Sequence, residues 1–210
     1  MNSSSPHAKP VRTIRWKAGQ HVVLQLRNDL FTIAQMRNHP VMRFFDISSS
    51  EANWDAPDLS QCRPLFQVFV GMVVQQQLVT RRIAVSTPCP DEVPHYWIRP
   101  YTSMDRPFFA GGPEKLFHGG RLIDLGPDND HDITQAPVIK HSLSIRDDKD
   151  ALERYELTNM WGSDGLRDRL IRHFTSGVNR DDLKFEVFPE LWPDREQLRP
   201  LTRRLPESLR

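Results

Sequence analysis

Three short apolar segments near the N-terminus constrain this chain most. QHVVLQL (20–26), LFTIAQM (30–36) and VMRFFDI (41–47) are rich in β-branched and aromatic residues, and only R-N-D and R-N-H-P separate them. Links this short cannot hold crossover helices, so the segments pair as antiparallel neighbours. The spacing predicts a three-stranded meander, with Met42, Phe44 and Asp46 sharing one face of the third strand.

Seventeen prolines and ten glycines punctuate the 210 residues, which confines long helices to proline-free stretches. Residues 48–64 read as a surface loop. PLFQVFVGMVV (64–74) is the most apolar run and reads as a central strand buried on both faces, with Gly71 marking a bulge or a close backbone approach. LVTRRIAV (78–85) is a weaker strand placed as its hairpin partner, and HYWIRP (95–100) is a further strand closed by Pro100. Between 108 and 120 the paired glycines suit turns, with KLFH as a short strand, and Gly111-Gly112-Pro113-Glu114-Lys115 reads as a tight turn. RLIDL (121–125), APVIKHSLSI (136–145) and LKFEVFP (183–189) read as strands; in the second, Ile139, His141, Leu143 and Ile145 share a face.

The period changes over DGLRDRLIRHF (164–174). Leu166, Leu170, Ile171 and Phe174 form a helical stripe, Ser163 is placed as N-cap, and Gly177 stops the helix. Residues 148–161 read as a short helix followed by an extended piece. The expected fold class is therefore α+β and β-rich: a strongly curved, mostly antiparallel sheet, meander-built and barrel-like, with one helix from the C-terminal half packed on it. The expected organisation is a polar tail over 1–10, one domain over 11–190, and a Pro/Arg-containing tail over 191–210.

A net charge of +1 provides no whole-molecule field for nucleic acid or a membrane surface. No apolar run approaches the roughly 18–20 residues of a membrane span, and MNSSSPHAKP has no apolar signal core, so a cytoplasmic location is expected. Cys62 and Cys89 form no C-x-x-C pair and read as free thiols. No phosphate loop, dinucleotide fingerprint, nucleophile elbow or H-E-x-x-H occurs. The sequence therefore predicts no catalytic set, no metal and no cofactor.

One run invites a metal reading. DNDHD (128–132) packs three carboxylates, an amide and an imidazole together. A calcium loop beginning at Asp128 would need Gly sixth and a carboxylate twelfth, where the chain has Ile133 and Ile139. Beside Gly126 and Pro127 the run reads instead as an acidic loop between two strands, open to a partner. Trp54, flanked by Asn53 and Asp55, reads as either a loop anchor or an interface hot spot. The candidate partner-binding residues are Trp54, Asp55, Asp128, Asp130, His131 and Asp132.

A resemblance runs through these pieces. V-V-L-Q-L-R-N-D-L-F-T-I-A-Q-M (22–36), M-R-F-F-D-I (42–47), P-L-F-Q-V-F-V (64–70), P-H-Y-W-I (94–98), A-L-E-R-Y (151–155), M-W (160–161) and R-D-R-L-I-R-H-F (167–174) follow one another in an order similar to that of the immunity protein family numbered twenty-six of bacterial polymorphic-toxin systems. The likeness spans about residues 20–175; the 100–135 region is more individual, and R-R-I-A-V lacks the family's usual Trp. The resemblance implies the immunity half of an effector–immunity pair in bacterial competition, of the kind delivered by type VI secretion. Such a protein binds a cognate toxin and neutralises it stoichiometrically, without catalysis. That family is also described as phosphotriesterase-like, so the alternative implied is a metal-dependent phosphotriester hydrolase.

Overall fold

The computed structural model describes residues 14–90, 94–102 and 116–192. The opening segments form β1 (His21–Arg27), β2 (Leu30–Met36) and β3 (Val41–Ser49), paired antiparallel in sequence order as the short turns dictate. β4 (Pro64–Val70) pairs antiparallel with β3. The chain then enters α1 (Met72–Gln77), and β5 (Val79–Ile83) follows. β6 (Tyr96–Thr102), β7 (Leu116–Asp124) and β8 (Val138–Lys140) form a second, three-stranded sheet. α2 (Ile145–Arg154), β9 (Met160–Trp161), α3 (Ser163–Ser176) and α4 (Asp182–Val187) complete the described elements.

The six-stranded sheet runs β5-β1-β2-β3-β4-β9, antiparallel except where β9 joins β4 in parallel. Irregularities at Gln25/Arg27, Val23/Leu24, Thr32/Ala34 and Phe44/Phe45 bend it. It does not close: β5 and β9 are its edges, so the α+β class stands while the barrel-like closure does not.

Strand alternation sorts the core into layers. Val22, Leu24, Met42, Phe44, Phe66 and Val68 meet Leu166, Leu170 and Ile171 of α3 on one face. On the other face, Val23, Ile33 and Phe45 pack under Leu59 and Cys89 of the long loops, and Val41 and Phe69 pack against Trp97 and Ile123 of the second sheet. The reverse of that second sheet, including Ile98 and Leu122, is covered by Leu152, Leu157, Phe185, Phe188 and Trp192. Through the second face runs a polar row: His21 opposes Gln35, Gln35 opposes Arg43, and Arg43 opposes Gln67. His21, Arg43 and Gln67 are buried, and burial followed by the charge of Arg43 holds the His21 imidazole below its ordinary pKa.

Several expectations are corrected by long-range contacts. The run 64–74 leaves the sheet at Gly71, whose N–H donates to Trp161 O at 2.9 Å and starts α1 rather than a bulge. β5 pairs with β1 instead of β4. Residues 116–124 make one strand through Gly119-Gly120, and β6 continues past Pro100 to Thr102. The strand expected over 136–145 shrinks to three residues, because Ser144 caps α2 by accepting from Asp147 N. Residues 183–187 are helical rather than extended, because Asp181 accepts from Leu183 N and starts α4 before the alternation can be used by a sheet. Four helices are therefore described where two were expected, a short one within 148–161 and one over 164–174. Ser163 sits inside α3, and Gly162 takes the N-cap; the left-handed Gly177 does stop the helix.

The loop joining β3 and β4 is not purely superficial, since Leu59 is fully buried. Cys62 and Cys89 are free thiols, Cys89 Sγ donating to Cys62 O at 3.2 Å. The expected tails over 1–10 and 193–210, and the expected turn at 111–115, lie outside the described residues. Leu191 and Trp192, assigned to the C-terminal tail, are buried in the core.

A Cβ on Gly120 would stand 2.8 Å from Arg99 O, whereas one on Gly162 would meet nothing within 4 Å. Gly120→Ala is expected to cost about 1–3 kcal/mol, and Gly162→Ala, which meets no atom and loses only a favoured N-cap residue, about 0.5–1 kcal/mol, read as shifts in urea unfolding midpoint.

Candidate functional site

The acidic loop is held rigidly from beneath. Asp124 Oδ1 accepts from Gly126 N and is paired with His95 Nδ1, both at 2.8 Å. Burial alone would raise the Asp124 pKa, but His95 and the Gly126 amide hold it below the ordinary carboxylate value. Asn129 adopts a left-handed backbone (φ 53°), and its buried side chain accepts from Trp97 Nε1. Asn38 Nδ2 donates to Asp128 O at 3.1 Å, and His131 Nδ1 donates to Asp124 O at 3.1 Å. Asp132 accepts from Thr134 N at 2.7 Å, and the Thr134 hydroxyl and amide lower its pKa. Asp128, Asp130, His131 and Asp132 are all exposed on this frame.

Trp54 is half-buried against the Val23–Phe45 cluster, and its carbonyl accepts from Arg81 Nη2 at 3.2 Å. This fits the anchor reading of Trp54; Asp55 beside it is exposed. The acidic loop rests on the Trp97–Ile123 cluster instead, so the structure does not gather the six residues into one site.

A second charged feature lies inside the fold. Arg169 of α3 is 3% exposed and grips Glu156 with Nη1 at 2.9 Å and Nη2 at 2.7 Å, while its Nε donates to Asn179 at 2.8 Å. Its guanidinium lies 3.7 Å from the centre of the Phe66 ring. Lys184, also buried, donates to Leu152 O at 3.0 Å. Burial works against the charge on Glu156, but Arg169 and then Lys184 hold its pKa below the ordinary value. Burial pushes the Asp181 pKa up, although Arg169 opposes the shift. Burial likewise raises Asp182 to about 6 despite its 3.2 Å contact with Arg172.

Three cavities adjoin this cluster. A polar cleft of about 510 Å³ opens beside Arg169 and Lys184, and an aromatic hollow of about 180 Å³ next to it shares Leu65, Arg154 and Glu156. The third, of about 350 Å³, is lined by Asp164, Asp168, Asp181 and Asp182 with Met160 and Trp161. Next to it Met160 and Met72 are 59% and 69% exposed, and Met160 Sδ and Val73 Cγ2 flank one point above Gly71. Among the described residues no group of three or more His, Cys, Asp or Glu is placed to hold a metal ion.

The model of the family described as Domain of unknown function (DUF8309) matches residues 11–193. The chain belongs to that family. The matched span holds every element described above and all three cavities. No curated protein and no solved structure matches the chain.

The buried cluster escapes sequence reasoning because charged runs such as R-D-R-L-I-R and N-R-D-D-L-K carry no sign in the sequence that they are buried. The available signal was Arg169 itself, adjacent to Leu170 and three residues from Leu166 on the apolar stripe. Glu156→Gln leaves Arg169 and Lys184 buried without their countercharge and is expected to cost roughly 3–5 kcal/mol in urea unfolding. Asp182 behaves oppositely with pH. Its folded-state pKa of about 6 lies above the ordinary 3.8, so the folded state holds the proton more tightly. Its stabilising contribution is present in acid and lost as pH rises from about 4 to about 6. Asp182→Asn should flatten that limb of the stability–pH profile.

Proposed function

We propose that this chain is an immunity protein, which binds a cognate toxin of basic surface and neutralises it by stoichiometric contact. The observation that carries the reading is the exposed apolar edge of Met72, Val73 and Met160 beside the carboxylate-lined hollow. Exposed methionines adapt to a partner's contours, and desolvating them favours association. The hollow beside that edge is walled by Asp164, Asp168, Asp181 and Asp182 with the Trp161 ring, a carboxylate-rich lining that suits a basic partner surface. The acidic loop supports the same reading from a second position. Asp128, Asp130 and Asp132 stand exposed on a braced turn, so their negative field costs little ordering entropy on binding. The order of segments shared with the immunity family agrees with a function in binding rather than catalysis. No described helix is long and apolar enough to cross a membrane. In this reading the protein acts in the cytoplasm, where it guards the producing cell or its kin.

Co-expression with the toxin encoded beside it is expected to restore growth. Failure to relieve any neighbouring toxin would overturn the proposal. Met160→Glu together with Met72→Glu should weaken the purified complex at least about 30-fold, read by calorimetry. Lysine at Asp128, Asp130 and Asp132 should slow association about tenfold and reduce its salt dependence, read by stopped flow. Unchanged association would remove the loop from the interface.

A further inference from the structure

The polar cleft and the aromatic hollow meet at the exit of α2, and their linings differ in kind. The cleft presents Arg63, Arg154, Arg169, Arg180 and Lys184. Three carboxylates oppose them, and each is already engaged or weakened. Glu156 is clasped by Arg169 through two hydrogen bonds. Glu153 sits 4.0 Å from Lys149 on the surface of α2. Asp181 is pushed by burial toward its neutral form.

The cationic side has capacity to spare. Arg63 and Arg154 are exposed at the mouth, and neither guanidinium has a hydrogen bond or ion pair to a protein group among the described residues. Arg154 lines both cavities, so its free donors lie at the junction. Planar guanidinium groups suit oxyanions, which can accept two parallel N–H bonds from each.

The hollow next door is built for a ring. Phe66, Tyr96, Trp97 and Tyr155 line it, Tyr96 and Tyr155 meeting edge to face with centroids 5.7 Å apart. Its volume of about 180 Å³ is comparable to cavities of about 150 Å³ that take up benzene. Gln67 lies in its lining, 4% exposed. The Gln67 amide nitrogen donates to Pro94 O, while its buried Oε1 has no hydrogen-bond partner. A buried orphan acceptor costs free energy until a donor fills it. A ligand N–H or O–H entering the hollow would satisfy it.

We propose that the two cavities form one binding site for an aromatic oxyanion, a small molecule joining a planar ring to a carboxylate or phosphate group. The ring enters the hollow beside the Tyr96–Tyr155 pair, and the oxyanion lies against Arg154 and Arg63. This site is separate from the toxin-binding edge and does not depend on that assignment.

The test is calorimetric titration of the full chain with phenyl phosphate, benzoate, inorganic phosphate and phenol at low salt. Phenyl phosphate or benzoate should saturate and bind at least about tenfold more tightly than either inorganic phosphate or phenol, since each fragment fills one cavity only. The tighter of the two aromatic probes identifies the oxyanion. Arg154→Gln should weaken that probe about tenfold or more, and Arg63→Gln should weaken it in the same direction. Tyr155→Ala should reduce that probe's advantage over inorganic phosphate. Arg63 and Arg154 are exposed, so their variants should keep the ligand-free thermal midpoint, which serves as the folding control. Absence of saturation by any probe overturns the proposal. So does equal binding of phenyl phosphate and inorganic phosphate, or an affinity insensitive to both arginine variants.

Discussion

The contact on which the rest of this fold depends is the buried pair of Arg169 and Glu156. Removing two charges from water costs several kcal/mol for each ion, and the cost is recovered only when geometry and remaining donors are satisfied. Here they are. The guanidinium edge is used on Glu156 and Asn179, and its face rests on Phe66. These four residues come from α3, the exit of α2, the turn before α4 and strand β4. One side chain therefore fixes the spacing between the helices that cover the two sheets. The same contact engages the Glu156 carboxylate inside the cleft, away from Arg63 and Arg154 at the mouth.

The sheet explains where the exposed features lie. β9 contributes two residues at an edge, and α1 interrupts the apolar run beside it. An edge this short offers little backbone for strand addition. It leaves Met160 and Met72 outside the core, beside carboxylates that line the hollow under α3 and α4. Apolar surface and negative charge are thus placed side by side by the end of a sheet, not by a motif. The polar row from His21 to Gln67 has a related consequence. It interrupts the apolar packing between the layers and leaves room for the aromatic hollow against Arg43 and Gln67.

Legibility follows the range of the forces involved. The meander was readable because R-N-D and R-N-H-P leave each strand one available neighbour. α3 was readable because its stripe and Gly177 act within a few residues. The acidic loop was placed correctly between two strands, since Gly126 and Pro127 break the chain there. Over 183–187 the alternating apolar residues pointed to a strand, and a single cap at Asp181 decided for a helix. Of the candidate site, the exposed carboxylates of the loop were visible in the sequence. The apolar edge, the charged cluster and the paired cavities were not, because each assembles residues from segments far apart in the chain.

The sequence by itself determined the β-rich α+β class, the opening meander, the position of α3 and the acidic turn. Each rests on periodicity and turn chemistry, which operate between residues a few positions apart. Tertiary structure alone decided that β5 pairs with β1, that the sheet stays open, and that Arg169 and Glu156 meet out of water. It also decided that Arg63 and Arg154 stand exposed at a cleft mouth. A charged side chain carries no mark of its partner or its solvent exposure. Both depend on which distant surfaces close over it.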